Sequence, residues 1–295
     1  MKRLQGRVAI PRGSRIAAGI GDDCAIFRPR TGDDLLFTTD LLIEGVHFER
    51  ATHPPAVVGR KALARGLSDI AAMGGEPLFC LLSLGVPEWA DSKWIDRFYD
   101  GLLQLAKAAG AVLAGGDLAH SKRAVCDIVV AGSAPKGSAL RRDGARPGDE
   151  IYVSGKLGGS ALGLLTKGGR AWQRHLRPEP RLALGRYLRE KLHATAAMDL
   201  SDGLSLDLRR MCMASRVSAE IGKPPMFPGA TVEQALHGGE DYELLFTVRQ
   251  GTRVPARFGD LPLTRIGVIR RGPAGRVLLD GRRLAPLGYD HFRPS

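Results

Sequence analysis

Six short segments of this chain set carboxylates beside small or turn-forming residues, and that repetition limits what the chain can fold into. They are Gly19-Ile-Gly-Asp-Asp-Cys24, Phe37-Thr-Thr-Asp40, Leu67-Ser-Asp69, Gly115-Gly-Asp117, Met198-Asp-Leu-Ser-Asp202 and His237-Gly-Gly-Glu-Asp-Tyr242. Taken singly, an acid in such a place caps a helix or solvates a loop. Taken together, they must be either kept apart by the fold or gathered and neutralised. Each like-charge pair brought to ~4 Å costs about 1 kcal/mol in water and about 4 kcal/mol near a protein surface. A gathered set therefore requires cations, and oxygen-only donors select Mg²⁺ over zinc. The residues themselves point to a metal-dependent enzyme that handles phosphates.

The length of 295 residues gives room for two domains, each with its own core. A composition 44% hydrophobic and 25% charged is that of a soluble globular protein, and no run approaches the ~20 apolar residues of a membrane span. The start Met1-Lys-Arg-Leu-Gln-Gly6 is basic but has no apolar core or cleavage site, so neither a secretory signal nor a membrane association is expected. Cys24, Cys80, Cys126 and Cys212 lie tens of residues apart with no C-x-x-C. That spacing predicts reduced core thiols in a cytoplasmic protein rather than disulfides or a zinc site. The net charge of +12 is concentrated toward the C-terminus, in Arg249, Arg253, Arg257, Arg265, Arg270, Arg271, Arg276, Arg282, Arg283 and Arg293. Such a surface suits nucleic acid, but no aromatic-interleaved basic motif accompanies it. A spread basic surface that also attracts an anionic small substrate is the better reading, with no nucleic-acid partner.

Along the first half, residues 35–40 read as a strand ending in a Thr-Thr-Asp turn, residues 54–73 as a helix, and residues 78–84 as a strand. A helix over 93–109, a short strand over 111–114 leading into Gly115-Gly-Asp117, and a strand over 125–133 follow. Asp69 falls near the C-terminal end of its helix, where the dipole opposes a carboxylate by roughly 0.3–1 kcal/mol, which suggests a use other than local stability. The turn-rich basic stretch Arg141-Arg-Asp-Gly-Ala-Arg-Pro-Gly-Asp149 reads as a connector, and the domains are set at 1–137 and 138–295. The second half opens with a strand over 150–154, the loop Gly155-Lys-Leu-Gly-Gly-Ser160 and a helix over 161–166. Strand, glycine loop and helix N-terminus suit an anion, but the Walker order is missing and close packing explains the glycines better. A helix over 204–215, for which Asp202 is a candidate N-cap, and strands over 242–248 and 264–269 complete the pattern. Strands and helices alternate in both halves, which predicts a two-domain α/β protein (α+β mixed) with mixed sheets flanked by helices.

The acidic segments belong to longer strings that resemble the thiamine-monophosphate kinase family, within the aminoimidazole ribonucleotide synthetase-like superfamily. In order they are GIGDDCAIF (19–27), TTDLLIEGVHF (38–48), KALARGLSDIAAMGGEP (61–77), GGD (115–117), RRDGARPGDEIYVSG (141–155) and RHLRPEPR (174–181). AMDLSDGLSLDL (197–208), GGEDYELLFTV (238–248), RIGVI (265–269) and GYDHF (288–292) continue the series over nearly the whole chain.

The resemblance implies ATP-dependent phosphorylation of thiamine phosphate with several Mg²⁺ ions, in a homodimer built through the first domain and with the site between the two domains of each subunit. Carried over by position, it makes Asp23, Thr38, Thr39, Asp40, Asp69, Asp117, Asp199 and Asp202 metal-site residues. It makes Gly116, Asp117, Arg142 and Ser201 nucleotide contacts, and His47, Glu240 and Tyr289 contacts with thiamine phosphate. The residue types agree: carboxylates and threonine oxygens hold Mg²⁺, and an arginine pairs with phosphate through two parallel hydrogen bonds. The acceptor phosphate is already ionised at neutral pH, so direct in-line transfer needs no catalytic nucleophile or strong base, and none is named. The competing readings are a sister ATP-dependent enzyme of the superfamily and a non-catalytic nucleic-acid binder. Selenophosphate synthetase is expected to carry a reactive Cys near its N-terminus, and the carbamoyl-dehydrating maturation factor one at its C-terminus. Here the first Cys, Cys24, lies inside the acidic motif and the chain ends Arg293-Pro-Ser295, which argues against both.

Overall fold

In the computed structural model the described residues are 10, 13, 15–20 and 24–289, so Asp23, one expected metal residue, lies outside them. The chain divides into two compact units, Met1–Ile70 with Gly75–Ser138, and Ala71–Gly74 with Ala139–Ser295. The architecture is mixed α/β in both.

In the first unit a small antiparallel pair, β1 (Ile16–Ala18) and β2 (Ile26–Phe27), precedes the long strand β3 (Asp33–Ile43). Helix α1 (Pro55–Ala72), β4 (Glu76–Val86), α2 (Ser92–Ala109), β5 (Val112–His120) and β6 (Val125–Pro135) follow. The four long strands form a sheet in the order β3-β6-β4-β5, parallel only between β4 and β5. Leu36 and Leu42 of β3, Leu82 and Leu84 of β4, and Ile128 and Val130 of β6 are buried, as are Leu63, Leu67 and Ile70 of α1. Alternation along the strands thus turns these residues to one face, toward the helices. Two corrections follow. Thr38-Thr-Asp40 lies within β3 rather than in a turn after it, because β3 pairs with β6 over its whole length. Likewise β5 runs on through Gly115-Gly-Asp117, because it pairs with β4 from Val112 to His120.

The second unit contains β7 (Glu150–Ser154), α3 (Gly159–Thr166), α4 (Gly169–Leu176), α5 (Leu182–Tyr187) with a π turn at Leu188–Leu192, and β8 (Ala196–Asp199). Then come α6 (Leu204–Ala214), β9 (Ser218–Ile221), α7 (Val232–His237), β10 (Leu244–Val248), β11 (Arg257–Phe258), β12 (Leu261–Arg270), β13 (Val277–Leu279) and β14 (Arg282–Arg283). Its sheet runs β14-β13-β9-β12-β7-β10-β8, with β11 paired to β12. One core gathers Ile151, Val153, Leu208, Met211, Leu245 and Ile269, and a second gathers Leu184, Leu188, Leu244, Phe246 and Val248. Cys80, Cys126 and Cys212 are buried thiols as expected, but Cys24 is exposed. No helix among the described residues is long and apolar enough to cross a membrane.

Helices α1 and α2 approach so closely that each needs a glycine. A Cβ on Gly101 would lie 1.7 Å from the Ala56 carbonyl oxygen, and one on Gly59 would lie 1.9 Å from that of Phe98. In an open helix Gly→Ala gains about 1 kcal/mol. Here the Gly101→Ala methyl must push backbone apart, and the expected net effect is a loss of roughly 1–3 kcal/mol in urea unfolding. A stabilised variant would show that the helices are not in this contact.

Candidate active site

Strand β3 carries three of the expected metal residues, and its period of two divides them between faces. Thr38 and Asp40 share the face of the buried Leu36 and Leu42, toward α1, whereas Thr39 is exposed on the other. On α1, Asp69 and Arg65 stand four residues apart and so on one side of the helix. The Thr38 hydroxyl donates to Asp69 Oδ2 at 2.5 Å, and Arg65 Nη2 lies 2.8 Å from Asp40 Oδ1. Arg65 Nη1 also donates to the Leu41 carbonyl at 3.2 Å. Burial pushes the Asp40 carboxyl up to about 6, against the lowering pull of Arg65 and with a further push from Asp69. Thr38, Asp40 and Asp69 are therefore brought together, as expected, but with an arginine among them.

On the opposite face the Thr39 hydroxyl donates to Asp127 Oδ1 at 2.7 Å. The register then sets Asp127 beside Ser83 and Ser83 beside Asp117, a row of polar residues across three strands. This row lines a cleft of about 540 Å³ with Gly115, Gly116, Leu81, Val129, Phe27 and Phe79 among its walls. Gly116 has to be glycine, since a Cβ there would lie 2.0 Å from the Leu82 carbonyl oxygen. Asp117 is exposed, and its Oδ1 accepts from the Leu118 amide at 2.8 Å. The structure thus separates Asp117 from Asp40 by both strand and face. His47 closes a tight loop after β3: its Nδ1 accepts from the Ile43 amide at 3.1 Å, and its carbonyl accepts from Lys61 Nζ at 3.2 Å. Lys61 is fully buried on α1, so the loop that carries His47 is fastened from within the core.

In the second unit the pairing of β8 with β10 continues beyond the strands as single hydrogen bonds. The Leu200 amide donates to the Glu243 carbonyl at 2.8 Å, Tyr242 to Leu200 at 2.9 Å, and Glu240 to Ser201 at 2.7 Å. The Tyr289 amide then donates to the Asp202 carbonyl at 2.9 Å. Asp199, Ser201, Asp202, Glu240 and Tyr289, far apart in sequence, are thereby gathered at the end of one strand pair. Glu240 and Tyr242 hold left-handed backbone at φ 63° and 50°, a conformation that non-glycine residues adopt rarely. Glu240 Oε2 lies 3.4 Å from Nδ1 of the buried His175, which stacks on Trp172. Tyr289 is 47% exposed.

Asp202 is not the N-cap of α6. That position belongs to Gly203, while the Asp202 carboxylate pairs with Arg210 and the Asp202 amide donates to Asp207 Oδ2 at 3.0 Å. Asp207 is fully buried, and burial, helped by Asp202, pushes its carboxyl up to about 6. The glycine loop after β7 does bind an anion, but an internal one: the amides of Gly158 and Ser160 donate to the Asp241 carboxylate at 2.5 and 3.1 Å. His237 accepts or donates at 2.8 Å to Ser205 Oγ and so braces the start of α6. Arg142 is exposed in the connector ahead of β7.

Both sets offer only carboxylate and hydroxyl oxygens, the donor type that Mg²⁺ takes, so the chemistry fits that ion. Among the described residues, however, no group of three or more His, Cys, Asp or Glu side chains stands close enough to hold one. The residues that sequence reasoning missed are the partners: Arg65 on Asp40, Asp127 on Thr39, and Arg210 on Asp202. Only Arg65 had a local signal, its four-residue spacing from Asp69 on one helix.

Residues 21–134 match the family model for AIR synthase related protein, N-terminal domain. Thiamine-monophosphate kinase of Bacillus subtilis (strain 168) is 36% identical over 311 residues, spanning 95% of each chain. The crystal structure of thiamine-monophosphate kinase from Stenotrophomonas maltophilia K279a superposes with a TM-score of 0.86 at 38% identity, over 96% of each chain. AaThiL complexed with AMPPCP and TMP gives a TM-score of 0.81 at 33% identity, over 99% of this chain and 94% of that one.

The raised Asp40 carboxyl sets a pH dependence. The unfolded chain releases this proton near the ordinary 3.8, the folded chain only near 6, so folding favours the protonated form. Stability contributed by Asp40 is accordingly lost as pH rises from about 4 through about 6. Asp40→Asn mimics the protonated acid at every pH. In a chelator at pH 7 it is expected to melt at or above wild type, with the difference vanishing near pH 4 in a series of thermal scans. A variant that melts well below wild type at pH 7 would make Asp40 a structural anchor instead.

Proposed function

The chain belongs to the thiamine-monophosphate kinase family, and from that premise we propose that it transfers the γ-phosphoryl of ATP to thiamine phosphate, by direct in-line attack of the acceptor phosphate oxygen. The observation that carries this is the match over 99% of the chain to a structure holding the ATP analogue AMPPCP together with TMP. The product is thiamine diphosphate. A phosphate monoester has its second pKa near ~6, so at neutral pH the attacking oxygen is already largely an anion. No residue has to remove a proton from it. The chain's task is then to hold two anions in line and to offset their repulsion.

The residues divide that task by chemistry. Asp40, Asp69 and Thr38, with Thr39, Asp117 and Asp23, serve the metals of the first unit, and Asp199 and Asp202 those of the second. Mg²⁺, when bound, neutralises phosphate charge and orients the phosphate oxygens. Arg142 pairs with a nucleotide phosphate, while the Gly116–Asp117 backbone and Ser201 contact the nucleotide. Glu240 sets a carboxylate against the cationic thiazolium, and the exposed Tyr289 ring stacks on it, worth about 0.5–2 kcal/mol. His47, fixed by the buried Lys61, completes the acceptor contacts. The chain works as a cytoplasmic homodimer joined through the first unit. Support comes from β3, an edge strand among the described residues, whose outer face exposes Phe37 at 62% and Leu41 at 45%. An uncovered edge with apolar residues is a place for another chain to pair.

Incubation of the pure protein with ATP, Mg²⁺ and thiamine phosphate is expected to yield thiamine diphosphate by chromatography. Asp69→Asn and Asp202→Ser should each lower turnover on the order of 10²-fold or more while melting in EDTA no lower than wild type. Full turnover in either variant at low millimolar Mg²⁺ would remove that acid from the metal site. Sedimentation at micromolar concentration should give a dimer, and a monomer would count against the proposed edge.

A further inference from the structure

Arg65 approaches β3 from α1 and touches consecutive residues of that strand, Asp40 Oδ1 at 2.8 Å and the Leu41 carbonyl at 3.2 Å. Its side chain is only 11% exposed and that of Asp40 22%, so the pair is shielded from solvent far more than a surface ion pair. It also sits among acids. Asp69 lies one helical turn beyond Arg65 and is hydrogen-bonded to Thr38, which shares a strand face with Asp40. An arginine so placed cancels charge that would otherwise be mutual repulsion, and it covers a carboxylate oxygen that a metal needs. From this geometry we infer that Arg65 is a resident counter-cation of the metal-binding acids, displaced from Asp40 by Mg²⁺, so that the ion pair sets how much Mg²⁺ the enzyme requires. The inference rests on the reading above in which Asp40 and Asp69 serve the metal.

Guanidinium and Mg²⁺ compete on unequal terms. The metal carries twice the charge and comes closer, but it sheds its water reluctantly, whereas the arginine is tethered and already in place. The pair therefore favours the metal only above a threshold concentration. The second unit repeats the arrangement, with Arg210 on the Asp202 carboxylate. There the arginine is 40% exposed and so more screened, and it also holds the buried Asp207 at 2.8 Å. Removing Arg210 would leave a buried acid without its cation, so Arg65 gives the cleaner test.

The test compares wild type, Arg65→Met and Arg65→Lys by thermal scans in EDTA and across a Mg²⁺ titration, and measures Mg²⁺ affinity by calorimetry. Arg65→Met is expected to melt below wild type in EDTA and to recover that deficit as Mg²⁺ is added. Its apparent Kd for Mg²⁺ should fall roughly tenfold, the size expected from losing one shielded competing pair. Arg65→Lys, which keeps the charge without the two-point contact, should fall between the two. An Arg65→Met deficit that is equal with and without Mg²⁺, at unchanged Kd, would make the pair merely structural and overturn the inference. Weaker Mg²⁺ binding in Arg65→Met would overturn it as well, because the arginine would then support the ion. A wild type that shows no response to Mg²⁺ in either measurement would remove the metal reading itself. A wild type that responds, beside variants that do not differ from it, would remove only the role given to Arg65.

Discussion

Glu243 is the charge on which the second unit is built. Its side chain is 1% exposed, a burial that works against ionisation, yet Arg174 and Arg181 together hold it below the ordinary carboxylate range. Arg181 supplies parallel hydrogen bonds at 2.9 and 2.6 Å, and the Ser154 hydroxyl adds another at 2.5 Å. An unpaired acid at this depth would cost several kcal/mol, so the three partners and the acid can exist there only as a group. The group joins the end of β7 to α4, to the loop before α5, and to the start of β10. Because the Glu243 carbonyl accepts from Leu200, the same anchor fixes the Asp199–Asp202 turn. Left-handed backbone at Glu240 and Tyr242 is affordable because both ends of that turn are tied.

The first unit solves a similar problem with strand periodicity instead of a buried charge cluster. Three consecutive polar residues, Thr38, Thr39 and Asp40, alternate across the sheet, so one strand serves two faces. On the helix side Thr38 and Asp40 meet Asp69 and Arg65, and on the other Thr39 meets Asp127. Neither arrangement leaves acids facing one another unrelieved. A hydroxyl separates Asp69 from β3, an arginine covers Asp40, and a hydroxyl bonds Asp127. The strand can carry this many polar groups because Leu36 and Leu42, inward at either side of them, are buried.

Much of this was legible in the sequence, and the failures have physical causes. The long helices were found to within a residue or two, since their apolar spacing and the Gly110 stop are local signals. The strands of the first unit were found too short. Polar Thr38–Asp40 and Gly115–Asp117 look like turns on their own, and only pairing with β6 and β4 makes them strand. Brief elements such as β11, β13, β14 and the π turn carry no periodicity long enough to read. The acids of the site were visible because carboxylates beside glycine and serine are unusual in number. Their partners were not, since Asp127 and Arg210 are identified by register and by tertiary approach, which no single segment displays. Asp202 shows the limit of local rules. It stands where a cap is favoured, yet Gly203 takes the cap and leaves the acid to Arg210.

The same pairing bears on how a chain of net charge +12 can present acids to a substrate that is itself an anion. A basic surface raises the local concentration of phosphates wherever they land, but it does not by itself place them against carboxylates. Naked acid clusters would turn the substrate away, and acids buried without cations would weaken the fold. Arginines bonded to Asp40 and Asp202 remove the second difficulty in the protein alone. They do not remove the first, because a paired carboxylate is near neutral rather than attractive. On the proposed reading, what attracts a nucleotide arrives with it or ahead of it as a cation, and the oxygen donors of both units are of the type that would hold such an ion. The positive surface and the paired acids are in this sense complementary on the proposed reading: one gathers anions at long range, and the other would take them together with divalent ions.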